Sequence, residues 1–137
     1  MRFMMLMIPK GYEDAAADCA PSAEAVAAMM KYNQALKDAG MLLSLDGLHP
    51  PARGARVTFA AGKAAVTRGP FRTQEALGGY WMIQAKSQDE AVEWAKRCPV
   101  THDAVIEIRQ VQEMEDFPAD VQKAAAGFED MQPRRSA

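Results

Sequence analysis

The chain has 137 residues, a length that suits one domain. Hydrophobic residues make up 49%, yet 26 of those 67 are Ala and only 19 are Val, Ile or Leu, which points to helices packed through small side chains and away from a disordered chain. Sixteen basic residues against eighteen acidic ones leave a formal charge of −2 and a pI near 5.7, so the balance supplies no footprint for DNA, RNA or an anionic membrane surface, and Arg134-Arg135 in the tail reads as the only basic cluster.

Cys19 and Cys98 are too few for a disulfide framework and sit in no CxxC or Cys/His ligand spacing. Reduced thiols in a cytoplasmic protein are the simplest expectation. The opening MRFMMLMIP carries one Arg and an apolar run over residues 3–8, which Pro9 and Lys10 end before it reaches the length of a signal h-region or a membrane span. It is predicted as a strand, with the mature chain starting at Met1. Because that run is apolar on both faces, the strand is expected to be central and covered on two sides.

After a loop rich in Ala and acid, Pro21-Ser22 opens a helix whose apolar Val26, Met29, Met30 and Leu36 follow 3.6-residue spacing, with Asn33 interrupting the stripe and Gly40 ending it. Residues 41–48 read as a second strand, and His49-Pro50-Pro51 breaks regular structure. Two β runs, 55–60 and 63–67, flank Ala61-Gly62 as a hairpin. A turn at Arg68-Gly69-Pro70-Phe71 and the pair Gly78-Gly79 lead into a strand over 80–85, again apolar on both faces. Ser87 and Glu90 form a capping box, and the helix they start carries Ala91, Trp94, Ala95 and Cys98 on one face before Pro99 stops it. A last strand is predicted over 104–111, then a polar extension over 118–137 with a short helix near 120–126 and a frayed end.

Strand, helix, strand, hairpin, strand, helix, strand is the order of an α+β, ferredoxin-like split β-α-β domain with an inserted hairpin, here over residues 1–117. Two helices cover one face of such a sheet. The other face would be apolar in two strands, so a homodimer closing sheet on sheet is expected.

The runs GLHPPARGARVTF (47–59), VTRGPFRTQEALGGYWMIQAKSQDEAVEWAKRCP (66–99) and VIEIRQVQEMEDF (105–117), with MRFMMLMI and the KYNQALKDAG helix, resemble the YCII-related family, in its DGPF subgroup. The Asp that names that motif is Arg68 here, so whatever the acid does elsewhere is not done from this position. The resemblance implies a dimeric α+β barrel. It implies little chemistry: some members occur beside or fused to extracytoplasmic-function sigma factors, and one branch resembles a small hydrolytic or lyase-type enzyme using a His and an Asp. The first helix of this chain has no matching His, so that dyad is not carried over.

Period two on the last strand puts Ile106 and Ile108 on one face and Glu107 and Arg109 on the other. If the isoleucines pack under the helices, the charged pair points into the barrel, where an Arg fork suits a carboxylate; a solvated or mutually paired strand face is the ordinary alternative. Tyr80 and Trp81 alternate faces, so one is expected in the core and the other lining the barrel. His49, in a Pro-flanked turn, is the one weak catalytic candidate, with Asp46 a speculative neighbour. His102-Asp103 is weaker still, since adjacent side chains rarely face one target. The methionines of the first strand read as adaptable core. Ser22, Ser44, Ser87 and Ser136 lack a GxSxG setting, neither phosphate-loop motif is present, and nothing supports a metal or cofactor. The expectation is therefore a small cytoplasmic homodimer with an inter-subunit pocket for a small organic ligand, an anion where Arg109 contacts it, with Glu107, Arg109, Tyr80 and Trp81 as binding candidates. The competing expectation is a non-catalytic regulatory module of a sigma-factor or other transcription system.

Overall fold

The computed structural model describes residues 1–100 and 102–133. In chain order the elements are β1 (Arg2–Pro9), α1 (Ala23–Asp38), β2 (Leu42–Gly47), β3 (Ala55–Ala60), β4 (Lys63–Arg68), β5 (Gly79–Gln84), α2 (Gln88–Ala95), β6 (Ala104–Gln110) and α3 (Ala119–Ala124). The main sheet runs β2-β5-β1-β6 with every neighbouring pair antiparallel. β1 and β2 are therefore parallel and separated by β5, and β5 and β6 are parallel and separated by β1, so each helix crosses over one intervening strand.

Both helices lie on the same side. Phe3, Met5 and Met7 of β1 and Trp81 and Ile83 of β5 alternate into a core closed by Tyr32 and Leu36 of α1 and by Ala91 and Cys98 of the α2 region. Small Ala91, wholly buried, lets α2 sit close to the sheet. Ile106 and Ile108 pack at its margin.

Local chemistry sets the helix ends. Ser22 Oγ accepts from the Ala25 amide at 3.1 Å, and Gly40 after the last turn takes the left-handed φ of 70° that only glycine adopts without cost. Ser87 Oγ accepts from the Glu90 amide at 3.1 Å, but the Glu90 carboxylate accepts from the amide of Lys86, at 2.6 Å, one residue earlier than the cap amide. The stripe on α1 also differs from its prediction. Val26 and Met30 are 44% and 58% exposed, while Met29, Tyr32 and Leu36 face the sheet. Tyr32 recentres the apolar face, and at about 100° per residue Val26 and Met30 then fall on its flank.

The hairpin β3–β4 forms its own two-stranded sheet, and every residue of both strands is exposed. Ala61 and Gly62 both have positive φ, 50° and 73°, the backbone of a type I′ turn whose twist matches the strands. At its base the Gly69 amide donates to the Gly54 carbonyl at 2.9 Å, and the Arg56 guanidinium lies 4.3 Å from the centre of the Phe71 ring. Beyond β6 the chain folds into α3 and a short 3-10 turn, Phe128–Met131. The helix expected over 120–126 is thus present as Ala119–Ala124; the end expected to fray, and with it the Arg134-Arg135 cluster, falls on residues 134–137, outside those described. Among the described residues no helix is long and apolar enough to cross a membrane.

Candidate functional site

The side of the main sheet away from the helices is uncovered in one subunit. Directly opposed residues of antiparallel strands share a face, so the register lays out its rows. Asp46, Tyr80, Leu6 and Glu107 run across the four strands in one row, and Ser44, Met82, Met4 and Arg109 in the next. Ile8 and Val105 continue the face at one end. The middle of this face is apolar and only half-buried, and its two margins are polar.

At the β6 margin Arg109 Nη1 donates to Glu107 Oε2 at 3.3 Å, with the side chains 72% and 48% exposed. A single long contact between two mobile, hydrated groups contributes about 0–1 kcal/mol. The guanidinium therefore keeps most of its donors available. At the β2 margin the Tyr80 hydroxyl donates to Asp46 Oδ2 at 2.9 Å, and that bond to a carboxylate pushes the phenol's pKa up.

Trp81 is not on this face. It lies in the helix-side core at 6% exposure, its indole N–H donating to Asn33 Oδ1 at 2.8 Å and its ring meeting Tyr32 edge-on with centroids 5.7 Å apart. Tyr80 takes the open face, as alternation requires. His49 is exposed in the loop after β2, with Arg53 Nη1 3.2 Å from Nδ1 and 3.1 Å from Nε2. Since β2 and β6 are the two edges of the sheet, three strand spacings, about 14 Å, separate His49's strand from that of Glu107 and Arg109. One subunit does not bring these candidates together. Asp46, read as a neighbour of His49, is engaged by Tyr80 instead. His102 is exposed, and Asp103 pairs with Lys10 at 3.7 Å.

Among the described residues, one surface groove lies away from this face and a second borders its Ile8–Val105 end. The larger, about 510 Å³, is lined by Arg2, Glu113, Glu115, Phe117, Phe128 and Glu129 among others; Arg2 crosses its base in a two-pronged bond to Glu113 of 2.7 and 2.9 Å. The smaller, about 210 Å³, lies between Lys10, Gln74 and Asp103. Neither is lined by Tyr80, Glu107, Arg109 or His49. Among the described residues no group of three or more His, Cys, Asp and Glu is placed to hold a metal.

The model of the YCII-related domain matches residues 1–115. The chain belongs to the YCII-related family. No curated protein matches it. In this YCII-related chain the matched span contains the whole four-stranded sheet, both covering helices and the hairpin.

Three features of the domain escaped sequence reading. Asn33 and Trp81, and Asp46 and Tyr80, are pairs 48 and 34 residues apart, which no local spacing reveals. Residues 47–74 hold five basic residues, Arg53, Arg56, Lys63, Arg68 and Arg72, and no acidic one. The tail is therefore not the only basic cluster, and the signal that finds the larger one is the missing acids over a long stretch, since its cations are not adjacent.

Proposed function

We propose that the protein acts as a homodimer whose two open sheet faces close on each other as an α+β barrel, and that the space between them binds a small organic anion through Arg109. The observation that carries this reading is the make-up of the open face: Met4, Leu6, Ile8 and Met82 offer apolar area to a second copy, while Arg109 beside them keeps donors in a fork that matches a carboxylate. Glu107 and the Tyr80–Asp46 pair add polar groups on either side of the same apolar strip. The placement of the motif Gly69-Pro70-Phe71 at the hairpin base and the Arg at 68 fit a divergent member of the DGPF subgroup. Unpaired Cys19 and Cys98 suit a reducing, cytoplasmic setting. Turnover would need His49 of one subunit to approach the β6 margin of the other, since within a subunit they are apart.

A second reading is a non-catalytic regulatory partner in a sigma-factor or other transcription system, in which Arg109 contacts Glu107 and takes no ligand. Light scattering at micromolar concentration tests the dimer, and a thermal-shift screen with benzoate, succinate and neutral analogues tests the anion site, because a binder specific to the folded state raises apparent stability by mass action. A dimer with carboxylate-selective shifts supports the first reading. A dimer that no carboxylate stabilises supports the second, and a monomer overturns the barrel.

A further inference from the structure

The hairpin β3–β4 is an isolated two-stranded ribbon, an element that is marginal in water unless something packs on it. Its register puts Val57 opposite Val66 and Phe59 opposite Ala64 on one face, and Val57, Phe59 and Val66 are 54%, 78% and 60% exposed. The ribbon and its flanks are also the cationic stretch, with five basic residues and no acid over 47–74. The register sets Arg68, opposite Ala55, on that same apolar face, with Arg56 and Lys63 on the other, so a cover for the apolar face meets Val57, Phe59, Val66 and the Arg68 charge and is itself apolar and acidic.

The same chain carries such a surface. Residues 111–133 hold six acidic residues and one Lys, and the groove they build sets Met114, Phe117 and Phe128 among Glu115 and Glu129. The groove and the ribbon stand at opposite ends of the sheet. The ribbon leaves from Gly47 and returns into Gly79, beside Met7, whereas the groove begins at Arg2 and follows the end of β6. The length of β1 between them, eight residues, is about 25 Å, and the six-residue strands of the ribbon reach about 20 Å.

Resting on the homodimer reading, we infer that the ribbon of each subunit docks into the acidic, aromatic groove of a second copy, so that the two-fold axis runs across the strands. That axis lays the ribbon end of one sheet over the groove end of the other, and symmetry makes the contact twice; an axis along the strands would put both ribbons at one end. A polyanion such as duplex DNA would meet the cations but leave Val57, Phe59 and Val66 in water, which is why the second copy is the occupant argued for.

The test uses two full-length chains in a Cys19→Ser background, Phe59→Cys in one and Phe128→Cys in the other, mixed in equal amounts and gently oxidised. A 59–128 disulfide between chains, identified by peptide mass spectrometry, is expected. In parallel, Arg68→Glu weakens self-association about tenfold, and mixing with Glu115→Lys plus Glu129→Lys chains restores it. If no such link forms and the reversals change nothing, while Met82→Glu on the open face still splits the dimer, the ribbon docking is overturned and the homodimer stands. A wild-type chain that is monomeric throughout overturns both. Duplex DNA binding that a Lys63→Glu, Arg68→Glu double variant loses, with no 59–128 link, overturns the docking in favour of a nucleic acid.

Discussion

Asn33 Oδ1 accepts the indole N–H of Trp81 at 2.8 Å, so the residue that interrupts the apolar stripe of α1 is the one that lets a tryptophan be buried on β5. A buried indole without an acceptor loses its hydrogen bond to water and gains none in return. Asn33→Leu is therefore expected to destabilise the fold by about 1–3 kcal/mol, although it adds an apolar side chain. Urea denaturation measures it. Adding Trp81→Phe to that variant should cost less than Trp81→Phe costs alone, because the donor and its acceptor then leave together.

Gly69 fixes the hairpin to the main body through contact no other residue tolerates. A Cβ built there would lie 1.7 Å from the Pro51 carbonyl oxygen, and Pro51 is itself buried backbone in a short 3-10 turn, so it has no flexible end to move aside. Gly69→Ala should cost about 3 kcal/mol or more, at or beyond the upper end of the overpacking range. The melting temperature should fall with it, and Gly62→Ala at the exposed hairpin tip, where no atom lies within 4 Å, should cost less.

Much of the fold was legible because its signals are local. The Ser22 and Ser87 caps, Gly40, the Ala61-Gly62 turn and the period-two alternation of Ile106 and Ile108 against Glu107 and Arg109 each depend on a few neighbouring residues, and the structure has all of them. What depends on pairing between distant strands was not. Which of Tyr80 and Trp81 faces the helices follows from the register of β5 against β1, and the partner of Asp46 follows from β2 against β5. Trp94 shows the intermediate case: its helix face was readable, but its ring is only half-buried, with the Arg97 guanidinium lying 4.4 Å from its centre. The candidate site was legible as a strand face and no further, since its other half would come from another subunit.

The two cysteines should differ in reactivity. Cys19 is exposed and Cys98 buried, and burial pushes the Cys98 thiol up to about 11 from a usual value of 9.0. The thiolate is the nucleophile, so iodoacetamide at neutral pH should alkylate Cys19 and spare Cys98 in the native protein, as read by mass spectrometry. A thiol held neutral by the fold contributes stability that is full below pH 9 and is lost as pH rises toward 11. A Cys98→Ala variant should therefore lose less stability between those pH values than the parent does. Equal labelling of both thiols at neutral pH would show that the α2 region opens readily.

Arg109 and Glu107 make opposite predictions although they touch. Both point to the open face from an edge strand and both are substantially exposed in one subunit. On the proposed homodimer reading, closing a second sheet over them removes water from two charges, which is costly unless each keeps a partner. Arg109 has donors to spare, and its fork meets a carboxylate in two places. Arg109→Met keeps the stem that packs beside Met4 and removes the fork, so the dimer should persist while the thermal shift given by a binding carboxylate falls by most of its size. Glu107→Gln removes only the 3.3 Å contact to Arg109 and frees that guanidinium further, so carboxylate binding should be retained or slightly stronger. If instead Arg109→Met leaves a carboxylate's shift intact, the anion is bound elsewhere, and if it dissolves the dimer, Arg109 bridges subunits and no ligand.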